Sequence, residues 1–155
     1  MTDRKNELRM VVDQVRVCFN LLKTLAEAMH DDLAVTPSMR AVMEALALAG
    51  AQTVPDIARA RGVSRQHIQI IMNTLQERDL AVSHDNPAHK RSPLYELTPS
   101  GRTTFELMRK REAEPLGRLA SSMASTDLTS AATALTDLNR ILRDELERRE
   151  PSDLG

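Results

Sequence analysis

Apolar positions recur at helical spacing through most of this chain. Leu8, Val11, Val12, Val15, Phe19, Leu22, Ala26 and Met29 trace one 3.6-period stripe through residues 4 to 30, which predicts a long first helix needing partners along its whole length. "TPSMRAVMEALALAG" predicts a second helix, with Thr36 as N-cap, Pro37 at the first helical position and Gly50 at the exit. "TVPDIARARG" predicts a short third, with Thr53 and Asp56 in capping-box spacing and a stop near Gly62. Ser64 then caps a fourth, which turns Ile68, Ile71, Met72 and Leu75 inward.

The pattern changes after Asp79. Leu80 to Ser83 and Leu94 to Leu97 suit strands, and the polar stretch between them, with two prolines, predicts a β-hairpin whose long tip carries His89, Lys90 and Arg91. Helical periodicity returns at Thr98 and Pro99 and runs through Phe105, Leu107 and Met108 toward Leu119 and Met123, with a kink or interruption expected at Pro115. A last helix is expected from about Thr126 or Asp127, carrying Leu128, Ala131, Leu135, Leu138, Ile141, Leu142 and Leu146.

Two short helices joined by a tight glycine turn and followed by a hairpin outline a winged helix-turn-helix. The fold class is therefore mainly α with a small β-hairpin wing. The expected organisation is an N-terminal dimerisation helix (1–32), a winged helix-turn-helix DNA-binding domain (33–98), C-terminal dimerisation helices (99–149) and a flexible tail (150–155). The outer helices have apolar stripes that nothing else in the chain covers, and a two-fold homodimer would bury them.

Composition narrows the reading. With 21 basic and 22 acidic residues among 155, the chain has no global field to announce a nucleic acid or membrane partner, so any binding patch must be local. A single cysteine, Cys18, excludes an internal disulfide and a multi-cysteine zinc site. No apolar run approaches membrane-spanning length and "MTDRKNELRM" does not look like a signal peptide, so a cytoplasmic location is expected. GxSxG, HExxH, P-loop and GxGxxG motifs are absent, and His30, His67, His84 and His89 form no spaced ligand set; neither an enzyme, nor a metal, nor a cofactor is expected.

The outer face of the fourth helix carries the sharpest chemical signal. It presents Gln66, Gln69, Ile70 and Asn73, with Arg65 and His67 in the first turn. Glutamine and asparagine can pair bidentately with adenine, arginine with guanine, and an aliphatic side chain can meet a thymine methyl. The alternative is a solvated face that favours amides. Lys90 and Arg91 at the hairpin tip weigh toward DNA, because a wing can carry them to phosphates or a minor groove. Residues 53–98 hold six basic side chains and five acidic ones, so this case rests on placement and not on total charge.

Taken together, "TVPDIARARGVSRQHIQIIMNTLQERDLAV" and "DNPAHKRSPLYELTPSG" resemble the MarR family of winged-helix transcription regulators. The family's wing commonly shows Asp-x-Arg followed by Leu-Thr and Gly; Arg91, Leu97, Thr98 and Gly101 match, and His89 stands where the Asp would be. The resemblance spans about residues 33 to 105 by motif. It implies a dimer, probing successive major grooves of a pseudo-palindromic double-stranded operator, usually as a repressor. It carries over Ser64, Arg65, Gln66, His67 and Gln69 as recognition-helix contacts and Arg91 as the wing-tip arginine. Asp79 replaces the glycine usual after this helix, placing a non-glycine residue at an expected left-handed position.

The resemblance also implies a small-molecule effector, with Arg16, Met29, His30, Met39, Arg40, Met43 and Met108 as pocket candidates; for the methionines, ordinary core filling is the simpler reading. One branch of the family senses oxidants through a first-helix cysteine similar in position to Cys18. That residue lies between Val15 and Leu22 on the apolar side with no tyrosine nearby, which favours a buried, inert thiol. "HDD" at 30–32 could serve a metal site, but reads more simply as a polar helix end. The contrasting function is a winged-helix module that binds protein and not DNA.

Overall fold

The computed structural model describes residues 2–149. Helices α1 (Thr2–His30), α2 (Pro37–Ala49), α3 (Val54–Arg61) and α4 (Arg65–Glu77) precede antiparallel strands β1 (Ala81–His84) and β2 (Leu94–Leu97), and α5 (Pro99–Ser121) and α6 (Ser125–Arg149) follow. A 3-10 turn, Asp31–Leu33, closes α1. The tail expected at 150–155 lies outside the described residues. The chain divides into one compact unit up to Arg111 and a second from Glu112.

In the first unit the helix starts follow local capping chemistry. Thr36, Thr53 and Ser64 each accept a hydrogen bond from the backbone N–H three residues on, which satisfies one of the donors that a helix N-terminus leaves open. Val42, Met43 and Leu46 of α2, Ile57 of α3, Ile68, Met72 and Leu75 of α4, Tyr95 and Leu97 of β2, and Phe105 and Met108 of α5 form one buried core. Each large side chain removed from water there contributes about 1.5–3 kcal/mol. The first turns of α5 thus complete the core of the helix-turn-helix unit.

The α4 exit is a Schellman turn. Leu80 N–H bonds to Leu75 O at 2.8 Å and Asp79 N–H to Gln76 O at 3.0 Å, with Asp79 in the left-handed region at φ 55°. Leu75 and Leu80 are both buried and supply the apolar contact that accompanies this motif. From there the chain enters β1, whose register with β2 pairs Ala81 with Leu97 and His84 with Leu94.

"LTPSG" owes its form to this same corner. The Thr98 hydroxyl donates to Asp79 O at 2.6 Å and accepts from Gly101 N–H at 2.9 Å, while Thr98 N–H bonds to Leu80 O at 3.1 Å. A Cβ on Gly101 would stand 2.0 Å from Leu80 O. The threonine and glycine are therefore what allow α5 to start directly against the turn that ends α4.

Two sequence expectations need correction. The interruption allowed for at Pro115 does not occur: α5 is continuous through it, and the helix breaks only after Ser121. Proline still removes the bond to the Arg111 carbonyl, and it is between Arg111 and Glu112 that the two units divide. Cys18, expected buried, is exposed, because most of α1 has no cover within the chain.

The second unit holds the end of α5 and all of α6. No residue of α6 is buried; Leu128, Leu135, Ile141, Leu142 and Leu146 are exposed. Ion pairs lace the polar surface of this unit, among them Arg118 with Glu114 on α5 and, on α6, Arg140 with Asp137 and Asp144 and Arg149 with Glu145 at 2.7 Å. Among the described residues, no helix is long and apolar enough to cross a membrane.

Candidate nucleic-acid interface

Helix α4 turns Ile68, Ile71, Met72 and Leu75 into the core, so the opposite side is left to its polar residues. Arg65, Gln66, His67, Ile70 and Asn73 are exposed and Gln69 is half-buried. Ile70, a large aliphatic residue, is 59% exposed in the middle of this face. Ser64 lies at the helix start with its Oγ accepting from His67 N–H at 3.1 Å, so it holds the first turn in place.

The wing meets the same face. A cleft of about 260 Å³ is lined by Arg65, Gln66 and Gln69 of α4, by Val54 and Pro55 at the start of α3, and by Arg91, Ser92 and Pro93 of the wing. The fold thus brings Arg91 beside Arg65 although 26 residues separate them. Lys90 does not join them; it borders a second hollow of about 400 Å³ with Asp85, Asn86 and Pro87.

Asn86 shapes the wing tip. Its Nδ2 donates to Ser92 O at 2.8 Å and its Oδ1 accepts from Ala88 N–H at 3.1 Å, while His89 N–H bonds to Asn86 O and Ser92 N–H to His89 O. An Asx-type turn of this kind supplies local order without a carboxylate. His89, standing where the related wing motif has Asp, is exposed.

Charge placement separates this face from the rest. Arg59 pairs with Asp56, Arg61 with Glu44 and the Ala41 carbonyl, and Glu96 with His84 at 2.7 Å. Arg78 spans from the end of α4 to the carbonyls of Leu33 and Ala34 at 2.7 and 2.5 Å. Among the described residues, no hydrogen bond or ion pair engages the guanidinium of Arg65 or Arg91. Two of this near-neutral segment's uncommitted cations, Arg65 and Arg91, therefore border one cleft, and Lys90 lies beside the second hollow.

The residues considered for an effector pocket are more scattered. Arg16 is exposed and bonded to Asp13 at 3.2 Å, whereas Met29 and His30 end α1. Met39, Met43 and Met108 are core residues, and Arg40 lies over the Phe105 ring, 5.8 Å from its centroid, and pairs with Glu44 at 3.1 Å. In "HDD", Asp32 is held by a forked ion pair: Arg111 Nη1 and Nη2 reach its two oxygens at 2.5 and 2.9 Å, and Nη1 also bonds to the Met29 carbonyl. The Arg111 guanidinium holds the Asp32 carboxyl below the ordinary range. Among the described residues, no group of three or more His, Cys, Asp or Glu side chains could hold a metal ion.

Sequence reasoning missed Tyr95, a buried residue whose hydroxyl accepts from Gln69 Nε2 at 3.3 Å. Strand alternation could have turned Tyr95 inward, but nothing in the spacing pairs it with a residue 26 positions earlier.

Comparison with known proteins agrees with this architecture. Residues 35–92 match the profile of the MarR family. An uncharacterized protein of Mycobacterium tuberculosis (strain H37Rv) is 36% identical over 85 residues, which are 55% of this chain and 59% of that protein. The chain thus spans somewhat under two thirds of the curated relatives it matches. The crystal structure of a MarR family transcription regulator superimposes with a TM-score of 0.76 at 28% identity, covering 95% of this chain and 97% of that one. A mutant of MarR from Escherichia coli complexed with operator DNA has the same fold, with a TM-score of 0.76 at 16% identity over 86% of this chain and 96% of its own.

Proposed function

Since this chain belongs to the MarR family of transcription regulators, we propose that it is a homodimeric, sequence-reading DNA-binding regulator that represses by occupying its operator. The observation that carries the reading is the pair of uncommitted guanidinium groups, Arg65 on α4 and Arg91 on the wing, bordering one cleft beside the exposed amide face. On this reading α4 enters a major groove, Arg65 and the amides meet base edges, and Arg91 and Lys90 meet phosphates or the adjoining minor groove. The relative from Escherichia coli was solved on operator DNA, which supports the same use of this fold.

Dimerisation is the second part of the proposal. α1 exposes Leu8, Val11, Val15, Phe19 and Leu22, and α6 exposes Leu128, Leu135, Ile141, Leu142 and Leu146. Burying such stripes against a second copy gains about 25 cal/mol per Å² of apolar surface. Two α4 helices related by a two-fold axis then call for half-sites about one helical turn apart.

The third part is modulation by a small molecule near the junction of α1, α2 and α5, where His30, Arg40 and Met108 lie. Structural neighbours, a Staphylococcus aureus MarR in complex with salicylate and kanamycin and a Bordetella bronchiseptica protein whose DNA binding is regulated by 6-hydroxynicotinic acid, support a small-molecule effector. Loss of operator affinity on adding such a compound is the expected response.

The test is a pair of single substitutions. Arg65→Ala costs about 1–3 kcal/mol of operator affinity and relaxes preference at one base pair, whereas Arg91→Ala weakens all sequences alike and lowers the salt slope by about 1. Unchanged operator affinity in Arg65→Ala would contradict the assignment of α4 as the reading helix.

A further inference from the structure

Gln69 faces the cleft from α4, yet its amide is tied inward. Its Nε2 lies 2.9 Å from Asn73 Oδ1 and 3.3 Å from the Tyr95 hydroxyl. A primary amide nitrogen has two hydrogens, so both have acceptors on the protein itself, one on exposed Asn73 and one on Tyr95.

Tyr95 is well placed to hold that arrangement. It is buried, sits opposite Ser83 in the hairpin, and exchanges both backbone hydrogen bonds with Gln52 at 2.8 and 3.0 Å. Turning the Gln69 amide outward would deprive this hydroxyl of its donor, a loss that burial makes costly.

The consequence is a restriction on what Gln69 can read. A free glutamine pairs bidentately with adenine, accepting from N6 and donating to N7. With its nitrogen held inward, Gln69 offers the base Oε1 alone. Asn73, one turn on, has its oxygen engaged by Gln69 and presents its own NH₂ group. The amide face is an ordered acceptor–donor pair.

Resting on the DNA-reading assignment above, we propose that Tyr95 is a positioning residue that sets the base preference of α4: by fixing Gln69 as a lone acceptor, it makes this position select an exocyclic amino group, adenine N6 or cytosine N4, without reading purine N7. Removing the hydroxyl frees one amide hydrogen and restores bidentate adenine pairing.

The experiment uses the full chain and an operator obtained by selection from random duplexes. Every single-base-pair variant is titrated with wild type, Arg65→Ala, Gln69→Ala and Tyr95→Phe, the last keeping its ring in the core as checked by melting. Gln69→Ala is expected to lose about tenfold preference at one position, the worth of a base contact. Every pair presents one such amino group, so it is removed directly: purine in place of adenine, or 2-pyrimidinone in place of cytosine, at that position weakens wild type about tenfold, and unchanged affinity overturns the proposal. Where the base is adenine, 7-deazaadenine changes wild-type affinity by less than about twofold but weakens Tyr95→Phe by about fivefold or more. A wild type already dependent on N7, or a Tyr95→Phe protein with unaltered preference at this position, overturns the proposal. If Arg65→Ala loses a base preference and Gln69→Ala loses none, this inference alone fails. If neither variant alters preference anywhere, the DNA-reading assignment fails and this inference with it.

Discussion

Replacing Gly101 by alanine tests the corner on which the wing and α5 depend. The added Cβ would lie 2.0 Å from Leu80 O and 2.9 Å from its carbonyl carbon, so backbone must move by about an ångström to reach an ordinary contact. That carbonyl accepts from Thr98 N–H at 3.1 Å, and Thr98 in turn binds Asp79 O and Gly101 N–H. Overpacking costs about 1–3 kcal/mol, and a buried donor left without its acceptor about the same again. Helix propensity returns about 0.5–1 kcal/mol on exchanging glycine for alanine. The net expectation is a loss of roughly 2–4 kcal/mol, or on the order of 5–15 °C in melting temperature for a chain of this size. Gly117, in the same helix, is the internal control, since a Cβ added there would meet nothing within 4 Å. Its alanine variant is expected to be neutral or stabilised by up to about 1 kcal/mol. Urea unfolding at one fixed protein concentration measures both, since self-association, where it occurs, makes stability depend on concentration. A Gly101→Ala protein within about 0.5 kcal/mol of wild type would refute the reasoning.

Asp79→Gly is expected to raise stability by about 0.5–1 kcal/mol, because relief of a left-handed non-glycine residue exceeds the entropy that glycine loses; a lower urea midpoint would contradict this. The Asp32 carboxyl is held below its ordinary range by Arg111, so its stabilising contribution is full above the unfolded value near pH 4 and is lost as pH falls through the lower folded value. Asp32→Asn should therefore flatten the acid limb of the stability profile, and an unaltered limb would show that the pair does not contribute to it. Leu142→Glu places a charge on the exposed α6 stripe and is expected to yield monomer by light scattering, with operator binding lost in parallel; an intact dimer would move the interface elsewhere.

What could be read from sequence and what could not divide along the reach of the interactions. Helix starts at Thr36, Thr53 and Ser64 were legible because a cap acts over three residues. The inward set of α4 was legible because its period is local, and the left-handed Asp79 because a helix end demands it. Four features were not legible as contacts: Tyr95 on Gln69, Arg111 on Asp32, Arg78 on the Leu33 and Ala34 carbonyls, and the Gly101 approach to Leu80 all join distant segments. The resemblance singled out Thr98 and Gly101, but only the fold supplies their physical reason. Cys18 misled for the opposite cause, since an apolar stripe predicts burial without saying whether the cover belongs to the same chain.

The most direct measurement of the central claim is selection of binding sites from a random duplex library, followed by anisotropy titration of the enriched duplex against excess unrelated DNA. A dimer that reads DNA through α4 returns a motif with two-fold related halves about one helical turn apart, binding that persists against competitor, and affinity that falls steeply with salt. No enriched motif, with equal affinity for all duplexes, would contradict it.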